Sequence, residues 1–338
     1  MSDTTHPLRI LMSQQSIDRW GASLAALMGQ RPHELISLEA AAAAQRTDAH
    51  VAFISREVTG TSTKHEIHPA LQRVYELLRQ SQGLQWVHIH SAGADRQIYL
   101  DLLAKGVRIT TSSGANAQVV ATVALAGILA LARRFPLLWA EQQARQWIPM
   151  MGARMPRDLP GQTATIVGWG PIGQKLGSLL QALGLRVVAV RQQVAAPHST
   201  ASDGVEMVTF ESWTRVLPQT DWLILACPLT AKTRQLVTAS VLTSLPPGAH
   251  LVNVARGEVV DEPALVSALQ SGHLGGAFLD VFAHEPLPSD SPLWTLPQVM
   301  VTPHAAGHSD GNETRVGQMF LDNLRCWIEG TPLRNSVI

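Results

Sequence analysis

The chain of 338 residues has only two cysteines, Cys227 and Cys326, and neither sits in a Cys-x-x-Cys pair. A disulfide framework and a cysteine-based metal site are both excluded, and a reduced, cytoplasmic protein is expected. Formal charge is +0 at pH 7, with no basic stripe or lysine-rich block. Nucleic acid and anionic membranes therefore lack an electrostatic handle here, and a small, weakly charged partner is expected instead. Long apolar runs are also missing: the most apolar stretch, Val119 to Leu131, is too short to span a bilayer and runs into Arg133 and Arg134. The opening MSDTTHPLRILMSQQ offers neither a basic region before a long apolar core nor a small-residue cleavage site. The histidine pairs His65/His68 and His88/His90 have no cysteine or carboxylate companions at ligand spacing, so no metal is expected.

What is present is a rhythm. LRILM, ELISL, HVAFIS, QWVHIH and RIT read as strands separated by helical stretches, which is the pattern of stacked βα units. A long apolar helix is predicted from about Asn116 to Phe135, with Pro136 as its stop signal. The rhythm then restarts with TATIVGWG, RVVAV, EMVTF, DWLILAC, AHLVNVA, GAFLDVF and VMVTP, seven strands of a second doubly wound parallel sheet. Val316, Phe320, Leu324 and Trp327 recur at helical spacing between Glu313 and Gly330, giving a closing helix.

One turn carries chemistry. In IVGWGPIGQKLG the residues Gly168, Gly170 and Gly173 fit G-x-G-x-x-G between an apolar strand and a helix, so the backbone from Gly168 through Pro171 and Ile172 to Gly173 is assigned to a dinucleotide pyrophosphate. An acidic residue normally closes the next strand and takes the ribose hydroxyls. Here that strand closes on Arg191, and no carboxylate follows until Asp203, which favours a 2′-phosphate and hence NADP, with NAD possible.

Downstream, CPLTAKTRQLV from Cys227, NVARGEVVDEPAL from Asn253, GAFLDVFAHEPLP from Gly276 and VTPHAAG from Val301 closely resemble the D-isomer-specific 2-hydroxyacid dehydrogenase family. The likeness extends upstream to WVHIHSAGAD and covers all but about the first eighty residues. It implies an α/β fold of two Rossmann-like lobes: a substrate lobe from residues 1–114 and 308–338, and a cofactor lobe, 115–307, inserted into it. The active site would lie in the cleft between them. It also implies a homodimer, its arm carrying Trp139, Trp147, Met150 and Met151.

Hydride transfer to a 2-oxo carbon places negative charge on the carbonyl oxygen, which calls for a positioned acid, while the substrate carboxylate calls for a fixed cation. By resemblance, Arg256 is that cation, His304 the acid, and Glu285 the carboxylate that favours imidazolium. The same resemblance puts Cys227, Pro228, Thr233, Val254, Ala255 and Asp280 against the cofactor, and the backbone of Ser91, Ala92 and Gly93 against the substrate carboxylate. Formate dehydrogenases of the superfamily carry glutamine at the place of Glu285, which argues against formate. The resemblance implies reduction of a small 2-oxoacid, of the glyoxylate or hydroxypyruvate type. A dinucleotide-sensing corepressor of the same fold is the alternative.

Overall fold

The computed structural model describes residues 6–192, 199–200 and 204–337. The chain opens with β1 (Leu8–Met12), α1 (Gln14–Met28), β2 (His33–Ser37), α2 (Leu38–Ala44), β3 (Val51–Ile54), α3 (Arg56–Thr59), α4 (Pro69–Gln80), β4 (Trp86–Ile89), α5 (Gln97–Ala104) and β5 (Arg108–Thr111). All five expected strands are present, and they form one parallel sheet in the order β2-β1-β3-β4-β5. Helix starts follow side-chain capping: the Ser13 hydroxyl accepts from Ser16 N–H at the head of α1, and that of Ser37 from Ala40 N–H at the head of α2.

Next come α6 (Ala117–Ala132) and α7 (Phe135–Gln143). This corrects the single helix expected to stop at Pro136. The break lies earlier, at Arg134, whose φ of 57° turns the chain, and Pro136 sits in the first turn of α7, where its missing N–H leaves no bond unmade. The chain continues through β6 (Thr163–Val167), α8 (Pro171–Ala182), β7 (Arg186–Arg191), β8 (Ser199–Thr200), β9 (Glu206–Thr209), β10 (Trp222–Leu225), α9 (Ala239–Ser244), β11 (Ala249–Asn253), α10 (Glu262–Gln270), β12 (Leu274–Leu279) and β13 (Val299–Val301). These strands form an eight-stranded sheet, β13-β12-β11-β10-β6-β7-β9-β8. Seven are the expected parallel strands; the eighth, β8, is a two-residue antiparallel edge too short to show in the sequence pattern.

The second sheet is buried on both faces, which is why its strands read as continuous apolar runs. Along β10, Leu223 and Leu225 enter one core cluster with Val188, Val190 and Leu251, while Trp222 and Ile224 enter the other with Val187, Ala189 and Val252. Among the described residues no single helix is long and apolar enough to cross a membrane.

The last helix, α11 (Asn312–Glu329), returns to the first sheet. The expected apolar stripe is its buried face: Val316, Phe320 and Leu324 are buried, Phe320 stacks on Phe53 with ring centroids 4.6 Å apart, and Trp327 stacks on Trp86 at 5.5 Å. Beyond it, Ser336 bridges to Thr110 on β5. Residues up to Asn116 together with those from Ser309 form one compact unit, and Ala117–His308 form the other.

Candidate active site

In the second sheet, strand order reverses between β6 and β10: β7 and β9 lie to one side of β6, and β10 to β13 run off on the other. Such a switch point opens a crevice at the carboxyl ends of the strands. Gly168 follows β6 with φ 104°, and a Cβ there would stand 2.6 Å from the Cys227 backbone nitrogen. Gly173 is equally tight, since a Cβ would meet the Gly168 carbonyl oxygen at 2.1 Å. At Gly170, by contrast, a Cβ would meet nothing within 4 Å, and no side chain caps the head of α8. Two glycines close the turn and the third leaves the helix N-terminus open, which suits a dinucleotide pyrophosphate. Pro171 and Ile172 begin that helix. Arg191 is the exposed last residue of β7. Asp203 lies outside the described residues.

The loop after β10 is closed from within. The Thr233 hydroxyl donates to the Pro228 carbonyl at 2.7 Å and accepts from Thr230 N–H at 2.7 Å. Cys227 is buried, and burial pushes its thiol up to about 11, so it is neutral and no nucleophile at pH 7.

After β11, Asn253 works as a bracket that the motif reading did not single out. Its Oδ1 accepts from Ala255 N–H at 3.0 Å and its Nδ2 donates to the Arg256 carbonyl at 3.1 Å, fixing the backbone of Val254, Ala255 and Arg256. The signal was available: an amide ends an otherwise apolar strand. Arg256 donates from Nη1 to the Ala255 carbonyl at 2.7 Å. Gly257 then lets this loop press on the next one, because a Cβ there would sit 1.8 Å from the Phe282 carbonyl carbon.

Asp280 follows β12 and is buried. Its carboxylate accepts from the Thr302 hydroxyl at 2.6 Å, Ala305 N–H at 2.8 Å and Ala306 N–H at 3.1 Å, while its carbonyl accepts from His304 N–H at 2.8 Å. It thus clamps the whole segment that carries His304, which holds φ 50°, a left-handed conformation that non-glycine residues rarely adopt. Glu285 supplies the last tie: Oε1 accepts from Phe282 N–H at 3.1 Å and Oε2 lies 2.9 Å from His304 Nδ1. Side-chain exposure differs in a useful way, 46% for the imidazole and 12% for the carboxylate. With Nδ1 turned to Glu285, the imidazole presents Nε2 outward, and Nε2 has no partner among the described residues.

Arg256, Asp280 and Glu285, and His304 thus follow three neighbouring strands, β11, β12 and β13, at one sheet edge. Ser91, Ala92 and Gly93 belong to the other unit, where the Ser91 hydroxyl donates to the Gly93 carbonyl at 2.8 Å and the Ser91 carbonyl accepts from Ser112 N–H at 3.0 Å.

Comparison with known proteins agrees with this arrangement. Residues 125–306 match the pattern of the D-isomer specific 2-hydroxyacid dehydrogenase NAD binding domain. A glyoxylate reductase of Korarchaeum cryptofilum is 32% identical over 268 residues, 78% of each chain. An (S)-sulfolactate dehydrogenase of Chromohalobacter salexigens is 36% identical over 251 residues, 74% of this chain and 79% of that one. The crystal structure of a D-isomer specific 2-hydroxyacid dehydrogenase from Xanthobacter autotrophicus Py2, in complex with NADPH and MES, superposes with a TM-score of 0.75 at 26% identity, covering 98% of both chains. With its sheet order, glycine turn and histidine–glutamate pair, the chain belongs to the D-isomer specific 2-hydroxyacid dehydrogenase family and is an NAD(P)-dependent enzyme.

Proposed function

We propose that the protein reduces small 2-oxoacids of the glyoxylate and hydroxypyruvate type to D-2-hydroxyacids, with NADPH preferred over NADH, as a cytoplasmic homodimer. The observation that carries the reading is the 2.9 Å pairing of His304 Nδ1 with Glu285 Oε2, which leaves Nε2 for the substrate oxygen. Reduced nicotinamide, when bound, supplies the hydride. Arg256 orients the 2-oxoacid through its carboxylate and adjacent carbonyl oxygen, its planar fork matching two acceptors at once. His304 Nε2–H gives its proton to the carbonyl oxygen as charge develops there, while Glu285 holds the ring in place through Nδ1. Backbone N–H groups of Ser91, Ala92 and Gly93 also receive the substrate carboxylate. The NADPH preference rests on exposed Arg191 closing β7 where a carboxylate would serve NADH.

The dimer rests on the arm: Phe135, Trp139, Trp147, Ile148, Met151 and Met155 are all exposed, Trp147 at 95%. So much large apolar surface in one segment of a chain calls for a cover. Light scattering at micromolar concentration should give twice 36.6 kDa; a monomer would reject the dimer. For the reaction, NADPH oxidation is followed at 340 nm with glyoxylate, hydroxypyruvate and longer 2-oxoacids, and absence of turnover with every one of them would refute it.

A further inference from the structure

One more glycine follows the three of the turn. Gly177 stands inside α8, where glycine is less favourable than alanine. The packing gives it a use. A Cβ at Gly177 would lie 2.4 Å from Cη2 and 2.7 Å from Cζ3 of Trp169, the residue between the first two glycines of the turn. The indole thus rests on the bare backbone of α8, about two helical turns beyond Gly170. Trp169 is half-buried and packs on the core cluster that contains Ile166, Leu176 and Leu180.

The carbonyl of the same residue is also held. Gln174 Nε2–H donates to the Trp169 carbonyl at 3.0 Å, and Gln174 N–H donates to the Gly170 carbonyl at 2.9 Å. On the strand side, Gly168 N–H donates to the Val190 carbonyl at 2.9 Å. The Trp169–Gly170 peptide is trans and planar, so its N–H points opposite its C=O. With the carbonyl turned to Gln174, Gly170 N–H is turned the other way, and it has no acceptor among the described residues. An open backbone donor at a helix N-terminus favours an anion. How tightly it binds one depends on whether the donor is already aimed, because a turn free to rotate loses that freedom on binding.

We propose that Trp169, seated on Gly177, and Gln174 are positioning residues for the cofactor: they fix the Trp169–Gly170 peptide so that Gly170 N–H faces the dinucleotide pyrophosphate before the cofactor arrives. This rests on the assignment of the glycine turn to the pyrophosphate. Gly177 is then the notch that a bulky residue at 169 requires, and the two positions act as a pair.

The test is calorimetry on the full chain with NADPH and NADH, the tighter of the two serving as the probe. In Gly177→Ala the new methyl drives the indole off the helix, and binding should weaken about tenfold or more, the usual worth of a charge-assisted hydrogen bond. The double variant Trp169→Leu, Gly177→Ala, with a smaller side chain facing the added methyl, should recover most of that loss; an effect of the methyl on α8 alone would persist in it. Gln174→Met, at an exposed position and without a donor, should weaken binding about 2- to 10-fold, and it decides the matter if Gly177→Ala does not fold. Affinity unchanged in Gly177→Ala or in Gln174→Met, or no recovery in the double variant, overturns this inference while the dinucleotide reading stands. A native protein that binds neither cofactor overturns both.

Discussion

Acidification should loosen the first unit through one histidine. His88, on β4, is 0% exposed, and its hydrogen bonds define a neutral ring. Trp86 Nε1–H donates to the Thr110 hydroxyl at 2.8 Å, and that hydroxyl donates in turn to His88 Nδ1 at 2.8 Å. On the other side the Ser112 hydroxyl donates to the Ile89 carbonyl at 2.9 Å, so its oxygen accepts from His88 Nε2–H at 3.1 Å. The network fits only the Nε2–H tautomer, and a second proton on Nδ1 would face the Thr110 hydroxyl hydrogen. Burial first, then His90, push the pKa down to about 3. In the unfolded chain the ring titrates near 6.5. The folded state therefore holds fewer protons between these values, and stability present above about pH 6.5 is lost as pH falls towards 3. Linkage gives a loss of about 2 kcal/mol between pH 7 and pH 5 from this group alone. Urea unfolding from pH 7.5 to 5, with hydrogen exchange read on residues 86–89, should show it. His88→Gln, whose amide can accept from Thr110 and donate to Ser112, should flatten the slope by close to one proton. An identical slope in His88→Gln would refute the reasoning. Because Ser112 N–H also holds the Ser91 carbonyl, the same acid step should slacken the proposed substrate loop.

Three further outcomes are expected. Arg191→Asp should shift the NADPH/NADH ratio of kcat/KM towards NADH by roughly 10- to 100-fold, and a native protein that uses NADH equally well would contradict the cofactor preference. His304→Ala should lower kcat by about 10² to 10⁴ with cofactor affinity nearly intact, whereas Arg256→Ala should also raise KM for the oxoacid; matching phenotypes in steady-state kinetics would deny the separate roles. Gly257→Ala should displace the loops after β11 and β12, lowering both thermal stability and kcat, because the new Cβ would lie 1.8 Å from the Phe282 backbone; unchanged melting would show that the close approach is not needed.

Much of this molecule was legible because the physics was local. Strands buried on both faces announce themselves as apolar runs, and Gly168, Gly170 and Gly173 are spaced by the turn they make. Where partners are distant, sequence says less. The resemblance assigns Asp280 to the cofactor, but that its carboxylate holds Thr302, Ala305 and Ala306, residues 22 to 26 positions away, is something no short motif displays. The break at Arg134 was hidden by Pro136, a residue that stops one helix or starts the next equally well.

The return of α11 to the first sheet sets an order of manufacture. Phe53 and Trp86 emerge from the ribosome early, but Phe320, which stacks on both, and Leu324 are made after the whole second unit. At about 5–20 residues per second, the roughly 200 intervening residues amount to some 10–40 s during which the part of that face of the first sheet not covered by α1 lies bare. The inserted unit, contiguous in sequence, can complete its own core in that interval. The newborn chain is therefore half finished in a lopsided way, its middle folded while its beginning waits for its end, and the waiting aromatic face is where a chaperone would have reason to hold on.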